Sequence, residues 1–408
     1  MSGTRWGMVR HGRLPRRGVG GSIAALIGIV LAVVLASTAS VAAVAVWRLG
    51  GTISSRSVDI KTGSTVRPPA LGPITQPVNI LLVGSDSGGG NAAYGRRGET
   101  LNDVTILIHI SPESRSATAI SIPRDLWVPQ AACTRSDGSR VGASGPRKFN
   151  EALYRGGLPC VAQVVAAFTG LPVDYAALIE FDGVVEMSNA LGGVTVCLAS
   201  PIKDPAAGLN LPAGDNTLQG STALAFLRTR KGLAAGSDLA RISNQQVFLS
   251  AMMRQVKSST TLTDPVKLYN LATTAARRMT LSRELASPTT MVSIALALKD
   301  IPLDRISFIQ YPNSPAMVGA TSVTLPLPKL AAPLISAVRN DQAVVAGSAG
   351  QAQVDSTPAP PSPAASATAA PSGSPAPTAS GPPGAVQLPT GVTGQSAADQ
   401  TCSRGSRG

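Results

Sequence analysis

Residues 224–246 read LAFLRTRKGLAAGSDLARISNQQ, and the rest of the chain is organised around them. The apolar start of this stretch predicts a short buried strand, and a Gly-containing loop follows it. Arg228 and Arg230 are two positions apart, so on a strand both side chains point to the same side. The spacing therefore predicts a pair of guanidinium groups where this strand ends.

The second half of the same stretch predicts a helix that adds a third guanidinium group. Ser237 or Asp238 is a suitable N-cap. Asp238, Arg241 and Gln245 then fall within one angular sector of the helix. Three arginines that converge through a Gly-containing loop suit a polyanion such as a pyrophosphate. Surface arginines that pair with Asp238 and with solvent are the alternative.

A second polar cluster is predicted at one edge of a β-hairpin. Two apolar, β-rich runs, residues 103–110 and 117–125, are joined by six polar residues, which is typical of an antiparallel hairpin. Asp103 precedes the first strand and Arg124 follows the second, so the hairpin brings both to the same edge. Asp86 ends an earlier buried strand whose loop must return to Asp103. Loop caps and surface ion pairs are the alternative for these residues.

The order of the remaining elements indicates the fold class. Residues 161–168 predict a helix, 175–181 a strand, 181–191 a helix and 305–311 a late strand. This order predicts a single α/β domain, in which a mixed central sheet is covered by helices on both faces (α-β-α).

An uncharged run near the N-terminus predicts a membrane anchor. Residues 19–47 carry no charge, and residues 23–46 would span roughly 36 Å as a helix, enough for a bilayer core of about 30 Å. The five arginines before the run hold that end in the cytoplasm and place the folded domain outside. A cleaved signal peptide is the alternative, although its apolar core would be unusually long.

Composition predicts where the folded domain begins and ends. Ser, Thr, Gly and Pro dominate residues 48–76, and Ala, Pro, Ser, Thr and Gly dominate the chain from about residue 344. The predicted organisation is a basic cytoplasmic tail (1–21), a transmembrane helix (22–47), a stalk (48–76), a catalytic domain (77–343) and a disordered tail (344–408).

The net charge of +13 favours an anionic ligand or surface. Nucleic acid is excluded as a partner, because the sequence has no basic helix with base-reading side chains and no aromatic stacking set, and the domain faces outward.

Four cysteines are present, and none has metal-type spacing. Outside the membrane a disulfide can form, and Cys133 and Cys160, both in loop-like sequence, are the predicted pair. Cys197 lies inside an apolar strand and is expected to be a buried thiol, whereas Cys402 lies in the tail.

The residues that remain indicate phosphoryl transfer. His11 is cytoplasmic and His109 lies within a strand, so a Ser-His-Asp hydrolase and a His-ligated metal site are disfavoured. A carboxylate pair can hold Mg²⁺, with Mn²⁺ as the alternative ion, while arginines neutralise phosphates. The hydroxyl of an acceptor can then serve as nucleophile.

Several motifs together resemble the LytR-CpsA-Psr family. They are NILLVGSD (79–86), SIPRD (121–125), LGGV (191–194), LPAG (211–214) and the RTR…DLAR…Q pattern of residues 228–245. The resemblance covers roughly residues 77–312. It implies a membrane-anchored enzyme that moves a glycopolymer from a polyprenyl-pyrophosphate carrier to peptidoglycan.

The resemblance also implies residue roles. Asp86 and Asp103 match the Mg²⁺-organising carboxylates. The pyrophosphate-binding set is matched by Arg124, Arg228, Arg230, Arg241 and Gln245, and Asp86, Asp103, Arg124 and Arg228 are the candidate catalytic residues.

The sequence departs from the family pattern at two positions. Leu101 stands where an arginine is usual, with Arg96 or Arg97 as a substitute, and Asn244 stands where arginine is frequent. Two other functions stay open: a non-catalytic polyprenyl-phosphate receptor that regulates the envelope, and a polyprenyl-pyrophosphate hydrolase.

Overall fold

The structure is a computed structural model of the chain. It describes residues 57–60, 62, 74–87, 100–258, 277–351, 353–355 and 382–406, with a few isolated positions at 26–40 and 271–275. The chain divides into two units, residues 1–49 and residues 50–408.

Little of the first unit is described. Residues 26–30 are helical, and their apolar side chains are exposed. Most of the predicted anchor, residues 22–47, lies outside the described residues, as does the cytoplasmic tail. Within the part of the chain that the structure describes, no helix combines the length and the hydropathy needed to cross a bilayer.

The second unit is a mixed α/β fold. Its strands are β1 (Val78–Ser85), β2 (Asn102–Ile110), β3 (Ala117–Ser121), β4 (Trp127–Gln130), β5 (Cys133–Thr134), β6 (Arg140–Val141), β7 (Ser144–Lys148), β8 (Tyr175–Ile179), β9 (Val194–Leu198), β10 (Ile202–Asp204), β11 (Leu209–Leu211), β12 (Gly214–Leu218), β13 (Met279–Leu281), β14 (Ile306–Gln310), β15 (Asn313–Val318), β16 (Thr321–Pro326), β17 (Val344–Val345), β18 (Gln353–Asp355), β19 (Val386–Gln387), β20 (Gly394–Ser396) and β21 (Thr401–Ser403). Its helices are α1 (Glu151–Thr169), α2 (Phe181–Ala190), α3 (Ser221–Arg228), α4 (Asp238–Ser258), α5 (Pro288–Asp300) and α6 (Pro328–Arg339).

A seven-stranded sheet of order β13-β8-β1-β2-β3-β14-β20 forms the centre. β1 pairs parallel to β8 and β3 pairs parallel to β14, while the other neighbours are antiparallel. The β2–β3 hairpin runs in register from Ile106↔Ser121 to Ile110↔Ala117, as the sequence predicted. A second sheet has the order β12-β9-β21-β18.

Helices cover both faces of the central sheet, which confirms the predicted layers. On one face Leu81, Leu107 and Ile120 pack against α1 and α6 in the main apolar cluster. On the other face Leu82 and Ile106 line a cavity that α2, α3 and α4 close. Alternate residues of one strand therefore serve the core and the cavity.

Residues 224–228 form the second half of α3, so the predicted strand there is wrong. The run Ala223–Phe226 is buried, and a short apolar run cannot separate a buried strand from a buried helix by its period. Its Ala and Leu residues favour the helix. Arg228 consequently ends a helix, and Thr229 and Arg230 begin the loop beyond it.

The predicted disordered tail is wrong for residues 344–351, 353–355 and 382–406. Val344, Leu388 and Val392 are buried in the main cluster, and the Leu388 amide donates to the Val345 carbonyl at 2.9 Å. An average composition rich in Pro, Ala and Ser conceals these apolar residues. Residues 356–381 lie outside the described residues.

The predicted stalk is also wrong in part, because the domain begins before residue 77. Ile60 and Ile74 are buried. The Val58 amide donates to the Leu281 carbonyl at 2.9 Å, and the Val58 carbonyl accepts from Arg283 at 2.9 Å. Val58 thus forms an isolated parallel β-bridge with Ser282.

Candidate active site

A β-bulge places Asp103 in the site. Gly84 pairs with Val104 and Ser85 pairs with Asn102, so Asp103 is the extra residue of β2. A bulge re-aims a side chain. Asp103 therefore faces the same cavity as Val104 and Ile106, instead of the opposite face of the sheet. Gly84 permits this approach, since a Cβ there would lie 2.9 Å from the Val104 Cβ.

Two arginines bridge Asp103 and Asp238. Arg124 Nη1 donates to Asp103 Oδ1 at 2.8 Å, and its Nε lies 3.2 Å from Asp238 Oδ1. Arg241 donates to Asp103 Oδ2 at 3.3 Å and to the Asp103 carbonyl at 3.0 Å, and its Nη2 lies 2.8 Å from Asp238 Oδ1. The structure thus brings the hairpin edge and α4 together.

The pKa values of Asp103 and Asp238 are shifted in opposite directions. Burial opposes ionisation of Asp103, but Arg241 and Arg124 outweigh it and hold its pKa below the usual range. Burial raises the pKa of Asp238 in spite of the same two arginines. Burial works against the charge of Arg124, but Asp103 and Asp238 raise its pKa. Asp103 is therefore a firmly ionised group and a weak proton acceptor.

The cavity behind this network is mostly apolar. It opens to solvent, and the cavity together with the solvent at its mouth occupies about 830 Å³. Its apolar lining includes Leu82, Val104, Ile106, Ile179, Phe181, Val184, Leu224, Leu227, Phe248 and Leu249. Its polar lining includes Asp103, Arg228, Arg241 and Gln245. An apolar body with a small set of convergent polar groups is typical of a ligand site.

The end of α3 carries Arg228 to this cavity. Its guanidinium carbon lies 4.3 Å from the centre of the Phe181 ring, in a cation–π contact. Gln245 Nε2 donates to the Leu227 carbonyl at 3.0 Å, and Asn244 Nδ2 donates to the Phe226 carbonyl at 2.8 Å. α4 therefore holds the last turn of α3, where helix carbonyls lack partners within the helix.

Arg230 adds another positive charge. The residue as a whole is exposed, but neighbouring atoms partly desolvate its guanidinium, and this desolvation together with the charges of Arg124 and Arg241 lowers its pKa. Such mutual repulsion among guanidinium groups is relieved by an anion bound between them.

Asp204 organises the loop of Arg230, and no sequence motif marks it as a site residue. Its Oδ2 accepts from Thr229 Oγ1 at 2.7 Å, from the Arg230 amide at 3.3 Å and from the Gly232 amide at 3.4 Å. Burial opposes ionisation of Asp204, but the hydrogen bond from the Thr229 hydroxyl and those from the backbone amides outweigh it and lower its pKa.

Asp86 lies beside the start of β2. It is buried, its Oδ1 accepts from the Leu101 amide at 2.9 Å, and its own amide donates to the Leu101 carbonyl at 3.1 Å. Leu101 thus contributes its backbone, and Arg96 and Arg97 lie outside the described residues. Asp86 does not line the cavity.

The Mg²⁺ ligands Asp86 and Asp103 stay a prediction. Proteins hold this ion through one or two carboxylates that substrate phosphates complete. Among the described residues no group of three or more acidic, His or Cys side chains could hold a metal, and both carboxylate oxygens of Asp103 accept hydrogen bonds from arginines.

His109 and the cysteines lie outside this network. His109 is buried, with Nδ1 3.0 Å from Asn79 Oδ1, as expected of a core histidine. Cys133 and Cys160 form the predicted disulfide. Cys197 is not a free thiol, because it is bonded to Cys402 across 205 residues of sequence.

A model of the LytR_cpsA_psr family matches residues 51–333. The chain belongs to this family. Among its relatives, the cell wall biosynthesis protein LcpA of Corynebacterium glutamicum is 32% identical over 261 residues, covering 57% of this chain and 49% of that protein. The polyisoprenyl-teichoic acid–peptidoglycan teichoic acid transferase TagT of Bacillus subtilis is 30% identical over 240 residues, covering 56% of this chain and 68% of TagT.

Solved structures of LytR_cpsA_psr proteins share the fold. TagV of B. subtilis matches with a TM-score of 0.53 at 21% identity, over 65% of this chain and 97% of TagV. TagT bound to LIIa-WTA matches with a TM-score of 0.52 at 22% identity, over 70% of this chain and 98% of that one. The chain spans about half the length of the two curated Corynebacterium relatives that it matches.

Proposed function

We propose that this protein transfers a glycopolymer from a polyprenyl-pyrophosphate carrier to peptidoglycan. The observation that carries the proposal is an apolar cavity whose lining also includes the charged side chains of Asp103, Arg228 and Arg241. Such a site matches a molecule with an apolar chain and an anionic head. The relative TagT, a polyisoprenyl-teichoic acid–peptidoglycan teichoic acid transferase, supports the same chemistry.

The arginines would bind the pyrophosphate oxygens. The three guanidinium groups lie on different segments: Arg228 ends α3, Arg230 lies in the loop beyond it, and Arg241 lies on α4. They can therefore approach the head group from different sides. An acceptor hydroxyl of peptidoglycan would attack the phosphorus atom next to the glycopolymer. The bond from that phosphorus to the bridging oxygen breaks, polyprenyl monophosphate leaves with that oxygen, and the hydroxyl proton passes to the leaving phosphate or to solvent.

Asp103 would act through its charge. Because its pKa is held low, it does not accept the hydroxyl proton readily. Phosphoryl transfer passes through a loose transition state in which positioning and charge neutralisation matter most. Asp86 and Asp103 would hold Mg²⁺, or Mn²⁺, which would neutralise phosphate charge when bound.

The expected location is the outer face of the cell membrane, with residues 22–47 as a single span and the N-terminus in the cytoplasm. The uncharged run behind five arginines supports this topology. Membrane fractionation followed by N-terminal sequencing of the mature protein tests it, and a soluble form that begins near residue 45 would contradict it.

The function is tested by incubating the purified protein with lipid-linked glycopolymer, peptidoglycan and Mg²⁺. Covalent attachment, lost in Arg228→Ala and kept in Arg147→Ala, is the expected result. Release of glycopolymer phosphate without attachment would identify a hydrolase. Lipid binding with neither product would identify a receptor.

A further inference from the structure

The C-terminal residues 402–406 contact the segments that carry two of the site arginines. We propose that these five residues, the C-terminal clamp, hold Arg228 and Arg230 in position for a prenyl pyrophosphate. The choice of a prenyl pyrophosphate as the ligand rests on the proposed function. The contacts between the clamp and the arginine-bearing segments do not depend on that function.

The first contact runs through Asn244 to α3. Ser403 Oγ donates to Asn244 Oδ1 at 2.6 Å, and Asn244 Nδ2 donates to the Phe226 carbonyl at 2.8 Å. Ser403 and Asn244 are both fully buried. Phe226 precedes Arg228 by two residues. The family-atypical Asn244 thus connects the clamp to the end of α3.

The second contact is made along the loop that follows Arg230. The Ala234 amide donates to the Arg404 carbonyl at 3.1 Å, and the Ser406 amide donates to the Gly232 carbonyl at 2.8 Å. Leu233 and Gly405 form an antiparallel bridge between these bonds. The loop is therefore paired with the clamp on one side and with Asp204 on the other.

The clamp is itself fixed to the domain. The Cys402–Cys197 disulfide joins it to β9, and the Ala199 amide donates to the Ser403 carbonyl at 2.9 Å. Gly405 lies against the chain, because a Cβ there would be 1.9 Å from the Pro201 carbonyl oxygen. Any side chain at position 405 must displace the clamp.

Gly405→Ala is consequently a specific perturbation. Gly142→Ala is the matched control, since a Cβ at Gly142 meets nothing within 4 Å. Ser403→Ala is a milder second variant, which removes only the hydroxyl that binds Asn244. The structural readout is hydrogen–deuterium exchange of residues 229–236, and the functional readout is the affinity for farnesyl pyrophosphate.

We expect faster exchange at residues 229–236 in Gly405→Ala and Ser403→Ala. We also expect affinity for farnesyl pyrophosphate to fall about tenfold in Gly405→Ala, as for the loss of one hydrogen bond to a charged group. In the transfer assay the KM for the lipid should rise while kcat changes little, because ground-state binding is lost. Gly142→Ala should match the parent in every measurement.

Unchanged exchange at residues 229–236 in folded Gly405→Ala and Ser403→Ala would overturn the proposal. Faster exchange with unchanged affinity and KM would also overturn it, since the clamp would then be structural only. If the parent protein itself binds no farnesyl pyrophosphate, the proposed function fails, and the exchange experiment alone decides whether the clamp orders the loop.

Discussion

Replacing Arg241 by Met removes a positive charge that pairs with both Asp103 and Asp238. The Arg241 side chain is only 4% exposed and lies within 3.3 Å of Asp103 and 2.8 Å of Asp238. Removing one partner of a buried ion pair costs about 3–5 kcal/mol. Arg124 stays beside both carboxylates, which are 19% and 15% exposed, so we expect the lower end, about 3 kcal/mol.

Urea unfolding at pH 7 measures this loss. Arg147→Met is the matched control, because Arg147 is 55% exposed and pairs with Glu151, four residues later in the sequence, at 3.3 Å. Its removal should change the free energy of unfolding by less than about 0.5 kcal/mol. Met keeps the length of the side chain in both variants, so packing is nearly matched.

The reasoning is refuted if Arg241→Met unfolds with the same free energy as Arg147→Met. That result would mean that solvent screens the Arg241 contacts as fully as those of a surface pair. Loss of stability without loss of affinity for farnesyl pyrophosphate would leave the network structural and would remove Arg241 from the anion site.

Three further predictions concern the same domain. Asp103→Asn should reduce turnover more than affinity for farnesyl pyrophosphate, because the arginines remain. Titration calorimetry measures the affinity and the transfer assay measures the turnover, and equal losses of the two would contradict the metal-binding role. The stability that ionised Asp103 contributes is complete at neutral pH and is lost as the pH falls below about 4, since its folded pKa is lowered. The free energy of unfolding in urea should therefore fall less between pH 7 and pH 3 in Asp103→Asn than in the parent protein. An equal fall would contradict the lowered pKa of Asp103. Replacing both cysteines of the Cys197–Cys402 bond by Ala should lower the thermal midpoint more than the same change at the other disulfide. By loop length the two bonds contribute about 5 and about 4 kcal/mol; calorimetry showing the reverse order would refute the loop-length argument.

The β2–β3 hairpin was predictable because its signals are local. Two apolar runs and six polar residues fix the pairing, and the pairing brings Asp103 and Arg124 to one edge. The bulge was not predictable, since nothing in the residues around Asp103 marks a shift of register. It decides nevertheless which face of the sheet receives the carboxylate.

The errors arose where distant parts of the chain determine the structure. Residues 224–228 belong to α3, which packs against α4. The period of such a short apolar run cannot distinguish a buried helix from a buried strand. Cys197 and Cys402 are 205 residues apart, so spacing gave no reason to pair them. The C-terminal strands β20 and β21 are held mainly by backbone pairing with β14 and β9 and by this disulfide, which a scale of apolar content does not detect.

The position of β20 and β21 in the two sheets has a consequence for how the protein is made. The central sheet receives the edge strand β20, and the loop of Arg230 receives its backbone partner, only after residues 394–406 have been synthesised. Pairings between segments so far apart in sequence form slowly. The oxidation that joins Cys197 to Cys402 must follow that pairing, so the site would mature late, after most of the domain has already folded.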